Sequence, residues 1–237
     1  MDNEILQCAR KVLWSSEFPV ILTGAGISAE SGVPTFRGEE GLWNNHRPED
    51  LATMRAFRKD PELVWQWYNW RKKLVSEKEP NAAHHAITDF QKMYNQTPVI
   101  TQNVDGLHID ANNKNVLEMH GNLFRAKCTH CDKKVELREV DSDSPKCSCG
   151  ESLRPDIVWF GESLDAKITS EILEYLRVCD VLIVVGTSGV VYPAAGFAFQ
   201  VHQSGGKIIE VNPQPVIDVA IQLAKSARTI LPELLKK

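Results

Sequence analysis

An α/β fold, a doubly wound parallel sheet with a smaller metal-stapled lobe beside it, is what this sequence predicts, and three stretches carry the prediction. Val20-Ile-Leu-Thr-Gly-Ala-Gly26 is an apolar, β-branched run that meets two glycines. Asp180-Val-Leu-Ile-Val-Val-Gly-Thr-Ser188 repeats the pattern with a longer apolar run. Unbroken runs of this kind mark strands buried on both faces, as parallel strands covered by helices are. The third stretch, Cys128-Thr-His-Cys131 followed by Cys147-Ser-Cys149, encloses polar sequence that cannot build a core without a staple.

Composition narrows the classes. At 237 residues the chain can bury a sizeable core, and alternating strand and helix signals favour one α/β unit with insertions over two independent domains. The formal net charge is -4 with Lys and Arg dispersed, so there is no electrostatic footprint for nucleic-acid binding. No stretch is long and apolar enough to span a bilayer, and the charged N-terminus lacks the apolar core of a signal peptide, so no membrane partner is expected. Six cysteines, four of them at metal-ligand spacing, indicate a reducing compartment, and a cytoplasmic protein is expected.

The elements follow in order. Ile5, Leu6, Ala9, Val12 and Leu13 recur at helical spacing, which predicts a helix over 3–15 ahead of Pro19 and a first strand at Val20–Leu22. Gly24 and Gly26 let the backbone approach a ligand and turn into a helix whose free N–H groups face an anion. Two glycines suit a tight strand-to-helix turn equally well, and Ala29 stands where the full dinucleotide fingerprint has a third glycine. Pro34-Thr-Phe-Arg-Gly38 then sets a ring and a cation just beyond the loop.

Residues 39–79 turn helical and aromatic, with Trp43, Phe57, Trp65, Trp67, Tyr68 and Trp70, and read as an inserted lobe. Asp60-Pro-Glu62 is a helix start: an N-cap carboxylate, a proline in the first turn and an acid matched to the helix dipole. Leu63, Trp67, Trp70 and Leu74 form one apolar stripe on that helix, and Val64, Tyr68, Arg71 and Val75 form the next. An arginine therefore stands where the pattern wants an apolar residue. It either snorkels from the edge of the stripe or, together with the Tyr68 hydroxyl on the same face, reads a carboxylate.

Asn81 caps a helix through Ala86, Ile87, Phe90 and Met93. Pro98–Asp105 reads as a strand delivering polar residues at its end, where α/β folds bind ligands. Val116–Gly121 is another short strand, with His120 just past its apolar part. Beyond the cysteines, Ile157-Val-Trp-Phe-Gly-Glu162 returns to strand-like sequence and residues 165–178 look helical. The deep strand within 180–188, a helix over 194–203 and a strand at Lys207–Asn212 complete the alternation.

Four thiolates at C-x-x-C and C-x-C spacing suit a tetrahedral zinc ribbon, and suit disulfides or an iron–sulfur cluster less well. Sulfur at all four positions, Cys128, Cys131, Cys147 and Cys149, leaves none open for water or substrate, so one zinc per chain is expected to be structural.

Gly24-Ala-Gly-Ile-Ser-Ala-Glu-Ser-Gly-Val-Pro-Thr-Phe-Arg-Gly38 resembles the NAD-binding loop of the sirtuins. With Thr101-Gln-Asn-Val-Asp105, His120-Gly121, the four cysteines, Leu153-Arg-Pro-Asp-Ile-Val-Trp-Phe-Gly-Glu162, Gly186-Thr-Ser188 and Val211-Asn212 following in family order, the resemblance covers most of the chain. Two positions depart from the family pattern: the second cysteine pair is C-x-C in place of C-x-x-C, and Lys225 replaces the glycine often found near Ala227.

The resemblance implies an NAD-consuming protein-lysine deacylase. A Rossmann-like large domain would comprise residues 1–37, 80–122 and 156–237, and a small domain would comprise the helical insertion 38–79 and the zinc ribbon 123–155. NAD and the acyl-lysine of a protein or peptide would meet between them. His120 would be the general base, with Asn103 at the ribose and catalytic water, Gln102 at the ribose, and Asp105, beside Val104, at the nicotinamide amide. Gly24, Ala25, Gly26, Ser28, Gly186, Thr187 and Ser188 would hold the dinucleotide, Asn212 and Ala227 its adenosine half, and Phe36, Arg37 and Trp43 would close over it.

Val158, Phe160 and Gly161, within the segment 158–162, would clamp an extended peptide by strand addition together with Tyr192. Tyr68-Asn-Trp-Arg71 resembles the Y-x-x-R signature of class III, bacterial-type sirtuins that remove succinyl and malonyl groups, and Ala52 matches the small residue that makes room for a longer acyl chain. Acetyl removal is implied beside it. The alternatives are a plain deacetylase, mono-ADP-ribosyl transfer to protein and, in another class, a zinc-ribbon module that only senses NAD.

Overall fold

β-Branched runs alternating with amphipathic segments close on a parallel sheet, and this chain does so in a computed structural model that describes residues 2–35, 48–94, 97–138 and 144–237. From the N-terminus come α1 (Asp2–Trp14), β1 (Pro19–Thr23) and the single-turn α2 (Gly26–Ala29). The inserted helices α3 (Pro48–Leu51), α4 (Met54–Lys59) and α5 (Pro61–Ser76) precede α6 (Ala82–Met93), β2 (Val99–Thr101), α7 (Leu107–Asp110) and β3 (Val116–Glu118). Next are β4 (Gly121–Cys128), β5 (Lys134–Glu136) and β6 (Leu153–Ile157). The chain ends with α8 (Ala166–Val178), β7 (Val181–Val185), α9 (Ala194–Gln203), β8 (Lys207–Val211), β9 (Ile221–Leu223) and α10 (Ala227–Leu235).

The six-stranded sheet has the order β3-β2-β1-β7-β8-β9, and each neighbouring pair is parallel. Strands β1 and β7 are buried along their whole length, as unbroken apolar runs require. Alternate residues serve opposite layers: Ile21, Ile183 and Val185 pack with α1, α6 and α10, while Val20, Leu22, Leu182 and Val184 pack with α8 and α9. The caps read from sequence form, with Asp60 accepting from Leu63 N and Asn81 from Ala83 N.

The smaller sheet, order β5-β4-β6, is antiparallel and packs against the inserted helices through Phe57, Val64, Trp65, Tyr68, Leu123, Phe124 and Trp159. Arg125 on β4 ties the two sheets together, reaching Glu118 at the end of β3 at 2.7 Å and Asp156 on β6 at 3.1 Å.

Two expectations are corrected here. On α5 the stripe containing Arg71 faces inward, whereas Leu63 and Trp70 of the more apolar stripe are about half exposed, at 48% and 50%. The reason is that Trp65, Tyr68, Arg71 and Lys72 find partners under the helix that outweigh simple hydrophobicity. The strand expected at 157–162 ends at Ile157 and begins at Leu153, leaving 158–162 as a turn closed by Glu162 N to Trp159 O. Leu-Arg-Pro-Asp-Ile lacks strand alternation, yet it is all buried, and Pro155 is tolerated because β6 is an edge strand.

Candidate active site

Strand order reverses between β1 and β7, and α/β sheets bind ligands outside the carboxyl ends of the strands at such a switch point. A cleft of about 700 Å³ opens there. Its walls bring together Gly24, Ala25, Gly26, Gln102, Asn103, Val104, Gly186, Thr187, Ser188 and Asn212 from the sheet's loops. Ala52, Tyr68, Arg71, His120, Val158, Phe160, Gly161 and Tyr192 complete it. Ser28 and Asp105 line an adjoining pocket with Ala25, Arg71, Asn103 and Val104.

Ala227 lies apart from both, buried in the first turn of α10 as part of the core under the sheet. Phe36, Arg37 and Trp43 lie outside the described residues.

The glycines do a different job from the one expected. Gly24 N donates to Val185 O and Gly26 N to Gly186 O, both at 2.9 Å, so these two N–H groups are already engaged and do not face an anion. What the glycines permit is the crossing of two backbones: a Cβ on Gly26 would sit 2.6 Å from Gly186 Cα, and Gly186 itself has φ +59°. Strands β1 and β7 are thereby pinned together at the floor of the cleft.

His120 presents a defined tautomer. Its Nδ1 lies 3.0 Å from the carbonyl oxygen of Gln102, which only accepts, so Nδ1 carries the proton and Nε2 is left with a lone pair. Burial pulls its pKa below the ordinary 6.5, against the smaller upward effect of the Gln102 bond. A neutral imidazole with a free acceptor nitrogen is a proton acceptor at neutral pH.

Asn103 is held from both sides, its amide donating to Ser28 Oγ at 3.1 Å and its backbone N to Thr101 Oγ1 at 3.1 Å. Behind it, Thr101 and Thr23 share a hydroxyl hydrogen bond of 2.9 Å, Thr23 meets His108 Nε2 at 2.9 Å, and His108 Nδ1 meets Asn113 Oδ1 at 2.6 Å. Asp105 accepts from Leu107 N at 3.0 Å. Asn212 donates to Thr187 O at 2.8 Å and fixes the loop after β7.

Tyr68 and Arg71, which also line the cleft, are 1% and 5% exposed. The Arg71 guanidinium lies 4.8 Å from the Trp67 ring and 5.6 Å from the Tyr68 ring. Burial pulls the Arg71 pKa down while Tyr68 and Asp105 pull it back, and burial raises that of Tyr68 so that the phenol stays a donor. Phe160 N donates to Ala52 O at 3.0 Å and Val158 N to His120 O at 2.9 Å, which ties the turn 158–162 to both walls. Those two N–H groups are engaged inside the protein and are not the ones that strand addition would use.

The four cysteines converge, with all four Sγ atoms within 4.8 Å of one another. Sγ separations of 3.5 Å (Cys128–Cys149), 3.7 Å (Cys131–Cys147) and 3.9 Å (Cys131–Cys149) match a sulfur tetrahedron around zinc. With Zn–S bonds of about 2.3 Å, such a tetrahedron has edges of about 3.8 Å. His130 N and Cys131 N donate to Cys128 Sγ, which orients that thiolate. The C-x-C pair therefore brings both its sulfurs into one cluster with those of Cys128 and Cys131. The donor set fits a structural zinc, held by Cys128, Cys131, Cys147 and Cys149.

The sequence pattern of the Sir2 family matches residues 24–193, from the glycine crossing to the loop after β7. The chain belongs to the Sir2 family. The NAD-dependent protein deacylase of Pyrococcus furiosus is 48% identical over 238 residues, covering 96% of this chain and 95% of the relative. That of Aquifex aeolicus is 48% identical over 209 residues, covering 85% and 86%. A solved Sir2 homologue in complex with NAD matches with a TM-score of 0.89 at 44% identity, over 99% of this chain and 93% of that one. A Sir2 protein with a deacetylated peptide and 3′-O-acetyl ADP-ribose matches with a TM-score of 0.86 at 32% identity, over 95% of each.

Several residues of this Sir2 site escape sequence reasoning. Trp159 donates from Nε1 to the Tyr68 hydroxyl at 2.8 Å, and Glu162 accepts from Trp159 N at 3.0 Å and from Arg154. Trp159 and Tyr68 are 91 positions apart, so no local pattern links them. His108 reads as one histidine among seven, and only the fold aims it at Thr23.

Proposed function

We propose that this Sir2 protein is an NAD-dependent protein-lysine deacylase that removes succinyl and malonyl groups as well as acetyl. The observation that carries the reading is one cleft lined by both a base and a buried cation: His120 with its free Nε2, and Arg71 with the Tyr68 hydroxyl.

Bound NAD would supply an electrophilic ribose carbon to the acyl oxygen as its nicotinamide bond breaks, and acyl-lysine, NAD and one water would give lysine, nicotinamide and O-acyl-ADP-ribose. The chain's part is positioning and proton transfer. Asn103 and Gln102 face the ribose, Ser28 and Asp105 the nicotinamide amide, and Gly186, Thr187, Ser188 and Asn212 the phosphates and adenosine. His120 Nε2 would take the proton of a ribose hydroxyl as that oxygen bonds to the acyl carbon, whose bond to the lysine nitrogen then breaks. Phe160, 60% exposed, and Tyr192, 79% exposed, flank the cleft mouth and present apolar surface to the lysine stem of a protein substrate.

Ala52, 4% exposed, leaves the space beside Arg71 free of a bulky side chain. A terminal acyl carboxylate there meets the planar guanidinium fork and a phenol donor. The large domain contains the six-stranded sheet and the small one the inserted helices with the ribbon. Among the described residues no helix is long and apolar enough to cross a membrane, and a thiolate metal cluster suits a reducing compartment, so we place the protein in the cytoplasm.

The test is nicotinamide release from NAD with succinyl-, malonyl- and acetyl-lysine peptides, for the wild type and Arg71→Met. Losing a charge-assisted bidentate contact costs roughly 1.5 to 3 kcal/mol, about ten- to a hundredfold, and the loss falls mainly on the acidic acyl groups. Equal losses on acetyl and succinyl peptides make Arg71 structural and leave a plain deacetylase. Labelled ADP-ribose on protein without acyl-lysine consumption points to ADP-ribosyl transfer, and intact NAD with every peptide points to a sensing module.

A further inference from the structure

Tyr68 is offered above as one of two groups that meet an acyl carboxylate, but a phenol is both donor and acceptor, and only the donor state serves that role. The residue that decides between them is Trp159. Trp159 Nε1 lies 2.8 Å from the Tyr68 oxygen, and an indole N–H only donates. The Tyr68 oxygen must accept there, so its own hydrogen is directed away from Trp159, and the cleft that both residues line is the open side.

We infer that Trp159 is a positioning residue for acyl-group specificity: its indole N–H holds the Tyr68 hydroxyl as a donor aimed at the acyl carboxylate. This rests on the carboxylate reading of Tyr68 and Arg71 given above.

Three contacts fix Trp159 in that duty. The Arg154 guanidinium stacks 3.6 Å from the ring centroid on one face, and Phe57 packs against it with centroids 5.5 Å apart. The backbone N–H of Trp159 is taken by Glu162 Oε2 at 3.0 Å, and the same carboxylate grips Arg154 in a bidentate pair. The ring is 2% exposed and has no room to swing. Glu162, Arg154, Trp159 and Tyr68 thus form one chain of contacts from the turn at the cleft mouth to the acyl end. Without this partner the Tyr68 hydrogen would be free to turn toward the place that the indole N–H now holds and away from the cleft. Burial also raises the Tyr68 pKa, so the proton it must donate is present across the working pH range.

The test compares wild type, Trp159→Phe, Tyr68→Phe and the double variant, each with succinyl- and acetyl-lysine peptides. Trp159→Phe keeps an aromatic ring under Arg154 and removes the N–H together with the second ring, whose lost packing should weigh on both peptides alike. The succinyl-to-acetyl ratio of KM should rise about three- to tenfold in Trp159→Phe, the loss of one net hydrogen bond, with the ratio of kcat unchanged. In the Tyr68→Phe background the same substitution should add nothing, because the hydroxyl it orients is gone.

Equal KM changes on both peptides, or additive effects in the double variant, overturn the inference, and if Arg71→Met is still selective the carboxylate reading survives it. A wild type that leaves succinyl-lysine untouched removes that reading and this inference together. The indole N–H resonance of Trp159 in a ¹⁵N spectrum gives an activity-free check. It should move upfield and exchange faster in Tyr68→Phe, and an unmoved resonance refutes the hydrogen bond itself.

Discussion

Replacing His120 tests the chemistry at its centre. Its Nδ1 proton is committed to Gln102 O at 3.0 Å, so Nε2 is the one basic atom it offers the cleft. His120→Ala removes that atom and no core group, since the side chain lines the cleft and belongs to none of the three hydrophobic clusters. Loss of a general base lowers turnover about a hundred- to ten-thousandfold, or about 2.7 to 5.5 kcal/mol of barrier. The pH profile gives the sharper reading. Burial lowers the His120 pKa, so the active neutral form persists below the ordinary histidine value of 6.5. The acid limb of kcat/KM should therefore fall below pH 6.5, with a slope of one per pH unit.

The sign of the stability effect must be kept separate from that limb. A histidine whose folded pKa is depressed stabilises the fold above its unfolded pKa and loses that contribution as pH falls. His84, buried beside His108 and held at about 3, removes about 2 kcal/mol by pH 5 on its own. Rates are to be read where circular dichroism shows the enzyme folded. Turnover of His120→Ala within threefold of wild type, or an acid limb centred above pH 6.5, would refute the assignment of His120 as the base.

Cys128→Ser should give protein that aggregates or unfolds and binds less than one zinc per chain by atomic absorption, because a closed thiolate site contributes folding free energy and has no position for substrate. A soluble, compact variant that loses only catalysis contradicts a structural zinc. Gly26→Ala should force apart the crossing backbones, since its Cβ would lie 2.6 Å from Gly186 Cα, at a cost of about 1 to 3 kcal/mol and about 2 to 12 °C in Tm, and should raise the KM for NAD. Thermal unfolding and NAD titration check both, and an unchanged Tm with unchanged KM means that the crossing is slack.

What was legible in the sequence was what rests on local physics. The β-branched runs gave β1, β7 and β8, the apolar period gave α9 over 194–203, and the cysteine spacing gave the metal cluster that the sulfur separations fit. What stayed hidden depends on contacts between distant positions. Strand β9 is three residues of mixed character whose place is set by pairing with β8, and the five-residue β6 is held as an edge strand despite Arg154, Pro155 and Asp156. The glycine loop was located correctly, but its reason was misread: the nearest atoms to Gly24 and Gly26 belong to the loop after β7, which no local pattern names.

The inserted lobe shows why its specificity end resists reading from pattern alone. Hydrophobic periodicity treats tryptophan as core filler and arginine or lysine as surface, and here both halves of that rule give way at once. Arg71 lies over Trp67 at 4.8 Å, Lys72 over Trp65 at 5.3 Å and Arg154 over Trp159 at 3.6 Å, and all three cations are buried. An aromatic face offers a cation partial compensation for lost water while still burying apolar area, so each pair is tolerated inside where either charge alone would not be. Two of these pairs set the orientation of α5: Trp65 and Trp67 each have a cation to stack with and are buried, while Trp70, in none of the hydrophobic clusters, is half exposed. Arg154 is further neutralised by Glu162, and Arg71 lines the cleft together with Tyr68. A lobe that holds three cations inside on aromatic faces is one that hydrophobic periodicity by itself does not lay out.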